Sequence, residues 1–316
     1  MTTFSGKNLQ SSKKSSTFAP KMKYRTVIIG LGTIAHYHVT GIQQSERFDL
    51  CAVCDLREET AGNPLWCNLP FYRDYNQMLD AVRPDVAIIT TPPAAHYEIA
   101  KTCAEHGALP FVEKPLASTK RESKLFFSQS MRGKFVPICH TLYGPEMLWF
   151  MENMQLSTIS SIKMQLSDPY LNHCMRIIPR YRPLGGCWLD SAPNALAPLL
   201  HLVPKLENVS LQHVYDDICG LPASSLLMAT YKETVVKILT HWSEELNSKS
   251  TEIEADDKHI LIDHSLQMVK INDQVVFQAD GDRLANQYTN FYRLYPNLVP
   301  NEKMLKEMYR IIWIND

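Results

Sequence analysis

The residues best suited to chemistry lie in a few short segments. The first is Gly30-Leu31-Gly32-Thr33-Ile34-Ala35, a G-x-G-x-x-A run. Gly30 permits a tight turn, Gly32 lets the backbone approach a pyrophosphate, and Ala35 keeps the next helix close to its strand. Thr33 and Ile34 open that helix, whose unpaired N–H groups and positive dipole end suit phosphate oxygens. Asp55 lies 25 positions after Gly30 and ends a second apolar run. A carboxylate there holds the adenosine ribose hydroxyls of a dinucleotide. It also repels the 2′-phosphate of NADP, which favours NAD, while Arg57 could swing to meet that phosphate and keeps NADP open. A plain glycine turn in a non-binding domain is the bland alternative.

Two more segments fall at the ends of apolar runs: Ile89-Thr90-Thr91-Pro92-Pro93-Ala94-Ala95-His96 and Glu113-Lys114-Pro115. If the runs are parallel strands, both lie at the carboxyl edge where open α/β sheets bind ligands. Pro115 biases Lys114 toward an extended backbone and restricts where its ammonium points. A lysine fixed there could bond a substrate hydroxyl and favour loss of its proton. Without a partner it is a solvated surface lysine.

The elements that must position these groups follow from periodicity. Apolar runs at 24–30, 48–54, 86–90, 109–113 and 135–140 alternate with helical patterns at 33–46, 76–82, 95–106 and 120–131. That alternation predicts a parallel sheet covered on both faces. Beyond about residue 141 it stops. A helix is expected at 190–203, strands at 207–214, 224–232, 234–242, 251–255, 258–263, 267–272 and 274–278, and helices at 283–295 and 302–312. This is an α+β layout on a largely antiparallel open sheet. Residues 1–22, rich in Ser, Thr and Lys, bury too little to offset ordering and are expected to be a disordered tail. The expected domains are then 23–140 for the dinucleotide and 141–316 for substrate and oligomerisation.

Composition narrows the class. The 316 residues carry 32 Lys+Arg against 33 Asp+Glu, a formal charge of -1, which excludes the strongly basic face of a nucleic-acid binder. No apolar run approaches the ~20 residues of a membrane span, and no secretory signal pattern opens the chain, so a cytoplasmic protein is expected. The eight cysteines are too sparse for a disulfide scaffold. Cys51 and Cys54 form a CxxC inside an expected strand, where their side chains point to opposite faces. No metal site is expected.

The fingerprint, the T-P-x-x-x-H run from Thr91 to His96 and Glu113-Lys114-Pro115 together resemble the Gfo/Idh/MocA family, typified by glucose–fructose oxidoreductase and inositol 2-dehydrogenase. The resemblance covers most of residues 24–205. It implies a Rossmann domain followed by an α/β domain whose open sheet mediates homo-oligomers, dimers or tetramers. It also implies NAD(P)-dependent oxidation of sugars or polyols, with the lysine of the E-K-P segment at the reacting carbon. The cofactor-binding residues it implies are Gly30, Gly32, Thr33, Ile34, Asp55, Arg57, Thr91, Pro92, His96, Glu113 and Lys114. Family members carry G-G-x-x-x-D-x-G-x-H, whose Asp and His supply acid–base chemistry. Here Gly185-Gly186-Cys187-Trp188-Leu189-Asp190-Ser191-Ala192-Pro193-Asn194 keeps the aspartate and replaces the histidine.

Asn194 cannot shuttle a proton at neutral pH. The stretch Asp190-Ser-Ala-Pro-Asn194-Ala195-Leu196 is similar to the aldose 1-dehydrogenase branch, with its D-x-G-x-N-A-L pattern. The catalytic set implied is Lys114, Asp190 and Asn194, acting on aldose C1 to give a lactone. Arg176, Arg180 and Arg182 could instead suit an anionic sugar. Asp190 reads alternatively as a plain helix N-cap. His140, with His173 behind it, is the further histidine of interest. A catalytically inactive NAD(P)-binding regulator, and a redox-neutral enzyme using the cofactor transiently, are the competing classes.

Overall fold

The computed structural model describes residues 23–316; the expected tail at 1–22 lies outside the described residues. The first layer is a sheet of six parallel strands: β1 (Tyr24–Ile29), β2 (Phe48–Cys54), β3 (Phe71–Tyr72), β4 (Val86–Ile89), β5 (Leu109–Val112) and β6 (Val136–Pro137). The order is β3-β2-β1-β4-β5-β6. Val27, Ile28, Ala87, Ile88, Ile89, Phe111 and Val112 are all fully buried, as a sheet covered on both faces requires. The crossovers are α1 (Ala35–Gln43), α2 (Tyr75–Val82), α3 (His96–Glu105) and α4 (Lys120–Phe126). Chain direction reverses between β1 and β4, so the glycine loop after β1 and the Thr90–Pro92 segment after β4 flank the switch point where such sheets bind ligands.

Several elements differ from expectation. Residues 127–131 leave α4, because the chain turns through Ser128–Arg132 rather than continuing the helix. The fifth apolar run keeps only two paired residues, and His140 lies in a 3-10 turn (His140–Tyr143) beyond the sheet. A helix and a strand that periodicity did not bring out follow this turn: α5 (Pro145–Asn153) and β7 (Ile159–Asp168).

β7 is central to the second sheet, whose order is β14-β13-β12-β11-β7-β10-β9-β8. Its other strands are β8 (Glu207–Tyr215), β9 (Pro222–Tyr231), β10 (Thr234–Trp242), β11 (Ser248–Ala255), β12 (Lys258–Asp263), β13 (Met268–Ile271) and β14 (Gln274–Gln278). All neighbours pair antiparallel except β7 with β10. Along β7, Ile162, Met164 and Leu166 are buried while Lys163 and Gln165 face out, the period-2 pattern of a sheet covered on one side. The cover is α5 and α6 (Cys187–Leu202).

The last two helices return to the first domain. On α7 (Arg283–Leu294), Phe291 and Tyr292 pack edge-on against Phe111 and Phe48. On α8 (Glu302–Ile312), the Tyr309 hydroxyl accepts the Leu116 N–H at 2.7 Å. Burying aromatic side chains of this size contributes about 1.5–3 kcal/mol each, so the end of the chain is part of the first domain's core.

Candidate active site

The glycine loop is built from backbone. Gly30 has φ +98°, and a Cβ there would sit 2.8 Å from the Thr91 amide nitrogen, so no other residue fits the turn. A Cβ on Gly32 would meet nothing within 4 Å. The backbone at Gly32 therefore faces open space, as pyrophosphate approach needs. Thr33 and Ile34 lead into α1, whose first turn has no side-chain cap. The Ala35 and Tyr37 N–H groups bond Gly32 O and Ile34 O at 3.1 Å, while the Thr33 and Ile34 N–H groups have no partner among the described residues and can meet an anion.

Asp55 closes this loop. Its Oδ2 accepts the Leu31 N–H at 2.7 Å, and its Oδ1 accepts the Arg57 N–H at 2.8 Å and the Arg57 Nε at 3.1 Å. Burial works against the charge, but the hydrogen bonds from Arg57 and Leu31 outweigh it and hold the carboxyl below its ordinary value. The group is a fixed anion beside the loop, and Arg57 is already turned onto it. Thr90 donates its hydroxyl to Gly30 O, tying the loops after β1 and β4 together. Pro92 is exposed at the same edge, whereas the Thr91 hydroxyl is enclosed without a partner. His96, at the start of α3, is buried, with its ring nitrogens 2.7 Å from Thr91 O and 3.0 Å from Pro115 O. It clamps the ends of β4 and β5 from within.

Glu113 and Lys114 point to opposite sides of the β5 terminus. The Glu113 side chain turns into the protein, where Oε1 accepts the Tyr288 hydroxyl at 2.6 Å and faces His38 Nε2 at 3.1 Å. Its Oε2 accepts the Lys114 N–H at 2.9 Å. Burial opposes the charge, but His38, His140 and Tyr288 bring the carboxyl down to about 2. Glu113 thus fixes the backbone of Lys114 from behind.

Lys114 Nζ reaches Asp190 Oδ1 at 2.8 Å and Asp190 O at 3.2 Å, across 76 positions of sequence. Burial alone would lower the ammonium, but the Asp190 carboxylate raises it above its ordinary value, so it stays charged. Asp190 is not an N-cap: α6 begins at Cys187 with Gly186 as cap, which puts Asp190 one turn inside the helix. Gly186 has φ +92°, and a Cβ there would strike Pro222 at 2.7 Å. Only glycine lets α6 start this early, and that start aims Asp190 at Lys114.

Asn194 is one turn further along α6, on the same face, with Oδ1 buried and unpartnered. Pro198 has no N–H for the Asn194 carbonyl, and the Thr141 hydroxyl takes that acceptor at 3.0 Å. Lys114, Asp190 and Asn194 are thereby joined to the turn that carries His140.

Periodicity did not reveal a second buried pair next to the first. Lys249 Nζ donates to Asp168 Oδ1 at 2.7 Å, and Ser191, next to Asp190, donates to Asp168 Oδ2 at 3.3 Å. The alternation Ile162, Met164, Leu166, ending on Asp168, was the available signal. Tyr170 follows, stacked on Tyr181 with centroids 3.8 Å apart. Burial, then the charges of Asp190 and Asp168, push its phenol up, so it stays neutral. The arginine-rich segment is engaged elsewhere: Arg176 pairs with Asp217, Arg180 lies over the Tyr181 ring, and Arg182 and His173 are exposed. Among the described residues no cluster of three metal-ligating side chains occurs.

Known proteins are similar to this chain in sequence or in fold. The chain is 27% identical over 223 residues to the glycosyl hydrolase family 109 protein 2 of Akkermansia muciniphila, covering 65% of this chain and 47% of that one. It is 33% identical over 103 residues to the D-glucoside 3-dehydrogenase of Escherichia coli, covering 32% and 29%. It spans less than half the length of the curated relatives it matches. The fold is that of the WlbA dehydrogenase of Bordetella pertussis, solved with NADH and UDP-GlcNAcA: TM-score 0.73, 16% identity, covering 94% of this chain and 98% of that one. Residues 24–128 match the family model described as Gfo/Idh/MocA, an oxidoreductase family with an NAD-binding Rossmann fold. Over those residues the chain is similar to that family's NAD-binding Rossmann domain.

Proposed function

We propose that the chain is an NAD-dependent dehydrogenase acting on a CH–OH carbon of a sugar or sugar-like substrate. The observation that carries this reading is the Lys114–Asp190 contact of 2.8 Å at the carboxyl edge of the Rossmann sheet. When bound, the nicotinamide cofactor supplies the hydride acceptor. The glycine loop, the start of α1 and Asp55 fit it, since they offer open backbone, free N–H groups and a fixed carboxylate. Thr91, Pro92 and His96 shape the edge of the cofactor pocket, and Glu113 holds Lys114 in place.

The rest is positioning and proton handling. The Lys114 ammonium donates a hydrogen bond to the reacting hydroxyl and stabilises the negative charge that grows on its oxygen. Asp190, held by that same ammonium, accepts the hydroxyl proton. Asn194 offers its unpartnered Oδ1 to a neighbouring hydroxyl. The charged, converging Lys114–Asp190 pair speaks for turnover over a purely regulatory role.

The D-x-x-x-N-A-L stretch favours aldose C1 as the reacting carbon, with a lactone as product. The D-glucoside 3-dehydrogenase relative favours a ring secondary hydroxyl and a ketone instead. The glycosyl hydrolase relatives favour a third outcome on the same apparatus, in which oxidation acidifies the C–H beside the new carbonyl, loss of that proton expels the glycosidic group, water adds to the resulting double bond, and the hydride returns to the carbonyl. A homo-oligomer would form through the uncovered face of the second sheet, where Lys163, Gln165, Val235, Lys237 and Met228 are exposed. The test is cofactor reduction, with NAD and with NADP, over aldoses, alkyl and aryl glycosides, polyols and sugar acids. A lactone consumes base on hydrolysis and a ketone does not. Aglycone release without net cofactor reduction indicates the transient use. No turnover on any member overturns the dehydrogenase reading.

A further inference from the structure

The family pattern places a histidine where this chain has Asn194, so α6 carries no basic nitrogen beside Asp190. Another imidazole lies close by. His140 opens the 3-10 turn after β6, and the next residue, Thr141, bonds the Asn194 carbonyl at 3.0 Å. The His140 ring stacks on Tyr288 with centroids 5.3 Å apart, and the Tyr288 hydroxyl bonds Glu113, whose other oxygen holds the Lys114 N–H. The ring therefore sits between the Lys114 backbone and the Asn194 turn of α6.

Its two nitrogens are not equivalent. Nδ1 is 2.9 Å from Gln287 Oε1, so Nδ1 carries the proton and donates it. Gln287 is fully buried on α7, and its amide nitrogen has no partner among the described residues. His140 Nε2 has no partner among the described residues, and the His140 side chain is buried. Asn194 Oδ1 and Thr91 Oγ1 are enclosed and unpartnered on the neighbouring elements, so hydrogen-bonding capacity goes unused around one cleft. Buried polar groups without partners are destabilising, a loss that a ligand rich in hydroxyls would recover.

We propose that His140 presents Nε2 to the cleft as a fixed acceptor for a substrate hydroxyl next to the reacting carbon, with Gln287 setting its tautomer. This rests on the sugar dehydrogenase reading above. His140 would choose which carbon of the sugar turns its hydrogen to the cofactor. Gln287 acts through His140 and is a positioning residue.

The variants separate anchoring from substrate contact. Asparagine at 140 keeps a polar group near the Nδ1 position, facing Gln287, and removes the Nε2 acceptor. Glutamine places an amide oxygen near the Nε2 position. With the NAD-loaded full chain, His140→Asn should lower kcat/KM about tenfold or more, with NAD affinity unchanged, and His140→Gln should restore most of it. Gln287→Leu should reduce kcat/KM in the same direction and convert the His140 ring to mixed tautomers by nitrogen NMR. In the wild-type holoprotein, NMR should show the Nδ1–H tautomer, with the Nε2 resonance moving on addition of the best substrate. An Nε2–H tautomer, an unmoved resonance, or a His140→Asn variant as fast as wild type overturns the proposal. Should the variants fail to fold, the wild-type resonance still decides. If the wild type turns over no sugar, the dehydrogenase reading fails and this proposal falls with it. If the wild type is active and His140→Asn is unimpaired, only this proposal fails.

Discussion

The two ends of the site are made of different material. The cofactor end uses backbone: a glycine turn, the free N–H groups leading into α1, and one carboxylate that is itself tied to the loop. Its parts fall within residues 30–57, and Arg57 is more than half exposed. The chemical end uses buried side chains from β5, β7, β11, α6 and α7, with Lys114 paired to Asp190 and Lys249 paired to Asp168. A backbone-built site depends on the absence of side chains at the glycines and tolerates change around them. A site of buried charges depends on each partner being present, because removing one strands the other in low dielectric.

The largest expected effect comes from breaking a pair at the chemical end. Lys114→Ala should lower turnover by about 10²-fold or more. It should also cost about 3–5 kcal/mol of stability, because Asp190, 5% exposed, is left without its cation. The double variant Lys114→Met with Asp190→Leu should regain stability in urea without regaining turnover. NAD affinity by calorimetry should hardly move in either. If the single variant keeps its turnover, Lys114 is not at the reacting carbon. The next effect belongs to the cofactor end. A Cβ at Gly32 meets no atom within 4 Å, so the fold should survive Gly32→Asp. NAD binding should be lost, since the new carboxylate occupies the phosphate approach. Retained binding would remove the glycine loop from the cofactor site.

This contrast also explains what was readable before any coordinates. Gly30, Gly32, Asp55 and the strands that carry them follow from spacing, because a turn, a strand end and a helix start are local. The β2 boundaries agree at both ends for the same reason. Lys114 was legible from its place at a strand end, but its pairing with Asp190, 76 positions away, was legible only through resemblance. Asp168 and Lys249 were not singled out. Lys249 is a charged residue pointing inward from β11, against the usual reading of a strand with a buried face. Overlooking the alternation along β7 hid the strand that brings Asp168 in. The start of α6 was set three residues late, since Asp190-Ser-Ala-Pro looks like a cap. Pro193 and Pro198 inside the helix reinforce that impression, yet Thr141 supplies the bond that Pro198 removes.

Acid should separate the two ends less sharply. Burial, with the charge of Lys114, depresses the His140 imidazole to about 4, below its unfolded value of about 6.5. The unfolded chain takes up that proton first, so stability falls as pH drops from ~6.5 to ~4. Glu113, held at about 2 against ~4.3 unfolded, extends the loss from ~4 down to ~2. The raised Lys114 works in the other direction: its stabilisation is present below ~10.4 and is lost as pH climbs through the folded value. Urea midpoints should therefore plateau between ~6.5 and ~8.5, above which the buried Cys54, Cys103, Cys139 and Cys187 thiols, raised by burial, cost stability because the unfolded chain releases their protons first. His140→Gln should make the upper acid limb shallower, with the remainder due to the other depressed histidines, His96 among them. An unchanged limb would mean that His140 is not buried neutral.

The smallest expected effect tests the carboxylate at the cofactor end. Asp55 does two things at once. Its Oδ2 bonds the Leu31 N–H inside the glycine loop, and its charge holds the Arg57 guanidinium. Asp55→Ser should loosen the loop, a loss that NAD and NADP share because both place the same pyrophosphate there. Loss of the charge affects only their difference, since repulsion of a 2′-phosphate is lifted and Arg57 is freed to meet it. The quantity to measure is thus the ratio of the two dissociation constants, from which the shared loop effect cancels. That ratio should move toward NADP by about tenfold, or ~1.4 kcal/mol, the scale of a charge-assisted hydrogen bond at a partly exposed group. Adding Arg57→Ala to Asp55→Ser should return part of the shift, because the guanidinium is then missing. If both affinities fall and the ratio holds, Asp55 serves the loop alone and does not face the ribose.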